Sequence, residues 1–162
     1  MSASTASTAA AVPVNRAGIR DGQVSELTVI APLKEGGGAR LRAIFAGAGG
    51  RFAATSKVGS VHDMRFVFLD NDTKLLFAST YDGDWDSYIS DFATLIPDAL
   101  DVVFSEVDGW PGTRSPQVKE FIAKYQLTAS AWFVAYPDAT VPTIRRALKV
   151  AAAVDGLLDA AN

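Results

Sequence analysis

The chain holds one histidine, His62, and no cysteine. Any imidazole chemistry therefore runs through one side chain, and disulfides, thiolate nucleophiles, iron–sulfur clusters and cysteine-based zinc sites are excluded. A site needing two imidazoles cannot form within one chain, which removes zincin-like centres and facial-triad iron; no metal site is expected. His62 opens the run VHDMRFVFLD, where it suits an axial ligand to haem or a general base at a pocket rim. Arg65 follows three residues later and suits a fixed cation for an anionic substrate, a propionate or an oxygen intermediate. These two are the candidate catalytic residues, with His62 also the candidate cofactor ligand. On a regular strand, residues three apart point to opposite faces, so joint action requires a bulge. The plain alternatives are a strand-end histidine with one hydrogen bond and an arginine paired with Asp63.

Other groups invite weaker readings. Between Lys74 and Arg114 lie 39 residues without a basic side chain, and they carry eight acids. Asp82, Asp84 and Asp86 imitate the start of a calcium loop. The sixth position is Ser87 and the twelfth Ala93, where glycine and a bidentate glutamate belong. Helix capping and a solvated acidic face account for the run. Gly36-Gly37-Gly38 precedes a helix, as phosphate cradles do, but lacks the Gly-Lys-Ser/Thr signature and reads as a strand-to-helix turn. Gly109-Trp110-Pro111-Gly112 reads as a rigid loop whose indole staples to the core or lids a pocket.

The elements that must position these groups follow from periodicity. Val24–Leu33 is apolar and β-branched and reads as a strand. A helix follows over residues 39–49, with Leu41, Ile44 and Phe45 at helical spacing. His62, Met64, Phe66 and Phe68 alternate along a second strand, and a tight turn at Asn71-Asp72 leads to a third. Asp84 suits the N-cap of a helix carrying Tyr88, Ile89 and Phe92 on one stripe. Pro97 restarts the helix, Ser115-Pro116 opens another, residues 128–136 (TASAWFVAY) read as a fourth strand, and a long Ala-rich helix begins near Val141. The order predicts an α+β fold: a ferredoxin-like split βαβ, with a four-stranded antiparallel sheet and helices on one face. Two strands carry bulky groups on both faces, so a second cover is expected, most simply the sheet of another subunit in a homodimer.

Composition bounds the rest. Residues 1–22 read as a flexible extension and 23–162 as a single domain. The formal net charge is −3 and the pI near 5.0, so no nucleic-acid partner is expected. No run has the form of a secretory signal or a membrane span, so no membrane partner and a cytoplasmic location are expected.

HDMRFVFLDNDTKLLFASTYDGDWDSYISDF and AWFVAYPDATVPTIRRAL resemble bacterial proteins of the ferredoxin-like dimeric α/β-barrel superfamily. The most specific part is the turn Tyr81-Asp82-Gly83-x-Trp85-x-x-Tyr88. That superfamily also holds dye-decolourising peroxidases and small cofactor-free monooxygenases. The resemblance implies a dimeric barrel and a small-molecule oxidoreductase acting on a hydrophobic or aromatic ligand. It implies haem or no cofactor, and a pocket lined by Met64, Phe66, Phe68, Trp110 and Trp132. The peroxidases' proximal histidine in a helix-flanked segment is absent from this sequence. A cofactor-free monooxygenase or cyclase and a non-catalytic ligand-binding or assembly module are the alternatives.

Overall fold

The structure, a computed structural model, describes residues 18–47 and 53–160; most of the expected N-terminal extension, and Gly49 and Gly50 at the end of the first expected helix, lie outside them. The chain runs β1 (Arg20–Asp21), β2 (Val24–Pro32), α1 (Gly37–Gly47), a 3-10 turn (Ala53–Lys57), β3 (Val61–Leu69), β4 (Lys74–Asp82), α2 (Trp85–Leu95), α3 (Pro97–Phe104), α4 (Val118–Tyr125), β5 (Gln126–Leu127) and α5 (Val141–Ala160). The sheet is antiparallel, with β1 and β5 both pairing β2, β2 pairing β4, and β4 pairing β3. Reading β5-β2-β4-β3, this is the split βαβ arrangement of an α+β domain.

Register decides which side chains share a face. Leu27 pairs with Ser79, Val29 with Phe77 and Ala31 with Leu75; Phe66 pairs with Phe77 and Phe68 with Leu75. This inner face meets α1 to α4, and Leu27, Val29, Phe77, Ile89, Phe92 and Val103 form one buried cluster. Burial of such side chains, at about 1.5–3 kcal/mol each, is the main stabilising term. Tyr81 and Tyr88 stack within it, with centroids 3.8 Å apart and planes 8° apart. Burial raises both phenol pKa values; for Tyr81 the nearby Glu26 carboxylate adds to this, while for Tyr88 the Ser79 hydrogen bond opposes it. The outer face carries Ile30, Leu76, Val67 and Leu69. Both faces of the sheet are therefore apolar in part, as the alternation of β3 implies.

Three local expectations change. First, α1 begins at Gly37, inside the glycine run. A Cβ on Gly38 would lie 2.6 Å from the Asp72 carbonyl oxygen, so glycine is needed for helix and hairpin to approach. Second, the hairpin turn is wider than two residues: Leu69 pairs with Lys74, and Asp70, Asn71 and Asp72 are all left-handed, with φ of 50°, 55° and 63°. The Asp72 carboxylate bonds Arg42 through two hydrogen bonds of 2.7 and 2.8 Å, fixing that turn on α1. Third, α4 starts at Val118 rather than at Pro116.

The largest departure is at residues 128–136, where a strand is expected and only Gln126–Leu127 pairs with β2. Beyond it, Ala129 donates its amide to the Glu26 carboxylate at 3.1 Å instead of to a carbonyl. The same carboxylate accepts from Ile19 at 3.1 Å and Thr28 at 3.0 Å. Residues 19–21 already occupy this part of the β2 edge through Arg20–Ser25 and Asp21–Val24 pairing. The strand-forming residues thus run outside the sheet, with Phe133 86% and Tyr136 76% exposed.

One carboxylate locks the loop after α3. Asp101 Oδ1 accepts from Trp110 Nε1 at 2.8 Å and from the Thr113 amide and hydroxyl at 2.8 and 2.7 Å. Burial pushes this carboxyl up, but the hydrogen bonds from Trp110 and Thr113 outweigh it and hold its pKa below the usual carboxylate value. Asp101→Ala is expected to cost about 2–3 kcal/mol in chemical denaturation, because buried donors lose their acceptor. Since the folded-state pKa is the lower one, this stabilisation is full above about pH 4 and is lost as pH falls through the native value. Asp101→Asn should therefore narrow its stability gap to wild type on acidification. Gly38→Ala should destabilise by about 1–3 kcal/mol, read in the same titration, because the blocking atom is backbone.

Candidate functional site

The β3–β4 ladder places His62. Val61 pairs with Tyr81 and Asp63 with Thr80, leaving His62 as the extra residue of a β-bulge. The bulge takes the imidazole out of the Met64–Phe66–Phe68 row, and its Nε2 lies 2.7 Å from Asp82 Oδ1. Asp82 follows the inward Tyr81 and faces the other side, so His62 sits on the outer face, opposite the phenylalanines. Both side chains are mostly buried, 19% and 12% exposed.

Asp82 has a second task. Its Oδ2 accepts the amide of Val141, the first residue of α5, at 2.8 Å. The carboxylate is thus fixed by strand β4, by the bulge and by a helix N-terminus, where negative charge is favourable. An ionised carboxylate only accepts hydrogen bonds, so a neutral His62 carries its proton on Nε2 and a lone pair on Nδ1. A recess of about 270 Å³ opens here, lined by Thr55 and Ser56 of the 3-10 turn, Val61, His62, Asp63, Met64 and Arg145. Arg145 comes from the second turn of α5, the helix whose first amide Asp82 holds.

The remaining site residues named from sequence divide in two. Arg65 shares the outer face with His62 but is exposed and pairs with Asp63 at 2.8 Å; it does not line the recess. Met64, Phe66 and Phe68 pack on the core from the inner face, and only Met64 also reaches the recess. Trp110 borders a separate, wholly apolar cavity of about 50 Å³ between sheet and helices. Its indole lies against Phe104 and Phe121, with centroids 5.1 and 5.4 Å away. Trp132 is half-buried on the 128–136 segment and borders neither space. The structure therefore joins His62 with Asp82, Arg145 and Met64, and does not gather the five pocket residues around the imidazole.

Asp82 and Arg145 are the residues that sequence reading missed. Pairing counted back from the hairpin turn sets position 62 opposite residues 80–82, which is a usable signal for Asp82. Arg145 reaches the recess through a tertiary contact and carries no local signal.

Haem does not fit these residues. The recess beside the imidazole is lined mostly by polar groups, where a porphyrin needs apolar walls. The apolar cavity holds no charged group and lies across the sheet. Among the described residues no cluster of three or more His, Asp or Glu could hold a metal ion, and no helix is long and apolar enough to cross a membrane.

Fold and site together define an α+β protein of split βαβ topology with a part-buried His–Asp pair at a polar recess. Compared with known protein families, curated proteins and solved structures, the chain matches none.

With a single histidine, ¹⁵N correlation spectra show one pair of ring nitrogens. At alkaline pH the protein should show Nε2 protonated and Nδ1 bare. In Asp82→Asn that preference should weaken, and a bare Nε2 in the wild-type protein would contradict the assigned pairing.

Proposed function

We propose that the protein is a cofactor-free proton-transfer enzyme, of the isomerase or cyclase type, acting on a small enolisable molecule with an anionic or acidic oxygen. One observation carries this: Asp82 engages His62 Nε2 at 2.7 Å while itself held by the Val141 amide. The imidazole is then oriented and committed to one tautomer, with Nδ1 as the base. His62 Nδ1 takes a proton from the substrate, and Asp82 stabilises the imidazolium formed. Arg145 offers a guanidinium to the oxygen on which negative charge develops. The same imidazolium returns the proton at the new position, so the cycle balances without an oxidant or a bound group. Asp82 is a positioning residue, because it acts through His62. Val61 and Met64 supply the apolar side of the recess.

This reading sets the oxidoreductase implied by the resemblance behind a simpler chemistry, because proton transfer needs only the groups found together. The test is deuterium incorporation, followed by NMR in D₂O, into a panel of small β-dicarbonyl and hydroxyaromatic acids. Exchange above background is expected with the wild-type protein. His62→Ala should lower it by about 10²–10⁴-fold, the usual share of a general base. Asp82→Asn should lower kcat more than it raises KM, and so should Arg145→Met, which removes the charge facing the developing oxyanion. Equal exchange by wild type and His62→Ala would refute the proposal, as would no exchange across the panel.

A further inference from the structure

Protein interiors are packed as densely as organic crystals and hold few voids larger than a water molecule. The cavity of about 50 Å³ on the inner side of the sheet is one of those exceptions. It lies between Val29 and Ala31 of β2, Ile89 and Phe92 of α2, and Val118 and Phe121 of α4. Along β2 the side chains that border it run Leu27, Val29, Ala31. The row thus shrinks to a single methyl group where Ala31 pairs with Leu75.

The cavity has no means of holding water. Its wall is wholly apolar. Three bordering side chains carry a polar atom, and each has turned that atom to a partner. The Tyr88 hydroxyl bonds Ser79 Oγ at 2.5 Å, and the Trp110 indole and Thr113 hydroxyl donate to Asp101. A water in a cavity needs two to four polar partners, so apolar cavities stay dry. Atoms bordering an empty space forgo dispersion contacts on that side. A nonpolar guest restores those contacts and breaks no hydrogen bond. The wall is also preformed, because Asp101 fastens Trp110 and Thr113 in place. Trp110, Phe121 and Ile122 border the cavity and are themselves only half-buried, so one layer of side chains separates it from solvent.

We infer that this cavity is a binding site for a small uncharged nonpolar molecule of the size of a dissolved gas. Volume sets the size. A dry cavity of about 150 Å³ takes benzene, and one water occupies about 30 Å³ of the liquid. The space here lies between those limits and nearer the lower one. The lack of a polar group on the wall excludes ions and hydrogen-bonding solutes, whose desolvation would go uncompensated. The site lies across the sheet from His62 and is independent of the proton-transfer reading.

Xenon is the probe, applied under pressure to the full chain while methyl NMR spectra are recorded. The methyl signals of Val29, Ile89 and Val118 should shift saturably with xenon pressure, while those of Val67 and Leu69 on the outer sheet face should not. Ala31→Val, and independently Val118→Ile, adds methyl groups to the cavity wall. Each should abolish the saturable shift while leaving near-ultraviolet circular dichroism and the His62 ring-nitrogen signals unchanged. Benzene should leave the same methyl signals unmoved. Wild-type shifts that rise linearly with pressure, or that are no larger at the cavity than on the outer face, overturn the inference. Saturable binding retained in both variants also overturns it, and saturable binding of benzene overturns the size assigned to the guest.

Discussion

The carboxylate of Asp82 is shared between two donors that the chain brings from far apart: the His62 ring, 20 residues before it, and the Val141 amide, 59 residues after it. Most of what is distinctive on the outer face depends on that sharing. It holds the bulge of β3 against β4, fixes one imidazole tautomer, and sets the starting point and direction of α5. The direction of α5 in turn brings Arg145 to the recess. A single part-buried acceptor thus couples the site to the orientation of the longest helix. Because both oxygens are engaged, the carboxylate cannot rotate to favour one partner without releasing the other.

The sheet separates two environments. Its inner face is closed by four helices and filled with aromatic and aliphatic side chains. Its outer face carries the titratable groups, and β3 borders both because its bulge changes which face a residue serves. The acidic run from Asp82 to Asp108 divides in a related way. Rather than forming one solvated face, it supplies individual fastenings. Asp84 caps α2 through the Ser87 amide at 2.9 Å. Asp86 meets Lys119 at 3.0 Å, Asp98 meets Arg114 at 2.6 Å and Glu106 meets Arg40 at 2.6 Å. These exposed pairs contribute little singly, but each joins elements distant in sequence. The basic residues lacking within the run are drawn from α1, α4 and the loop before α4.

Legibility followed the range of the governing interaction. Asp84 and Pro97 set helix starts through bonds within a few residues, and the β3–β4 hairpin is a local pairing, so sequence sufficed. The α+β class and the split βαβ order were legible for the same reason. Residues 128–136 have the composition of a strand, yet their place is taken by residues 19–21 and by the Glu26 side chain, neither of which local propensity can register. His62 was legible as the one imidazole, but not its face, because alternation assumes a ladder without the bulge. Arg65 attracted attention for its oddity in an apolar strand, which its neighbour Asp63 explains. Arg145 was legible only as part of a basic patch with Arg146 and Lys149, because its place at the recess depends on a tertiary contact.

Glu26 has a consequence for the topology of the chain. Its carboxylate receives one amide from Ile19, where the described domain begins, and another from Ala129, past the last strand. The polypeptide between these residues is therefore a loop closed by one side chain, with no covalent link at the closure. Every strand and the helices α1 to α4 lie on that loop, while α5 lies beyond the clasp. The domain has the plan of a buckled belt with a free end, and the buckle is an anion surrounded by neutral donors.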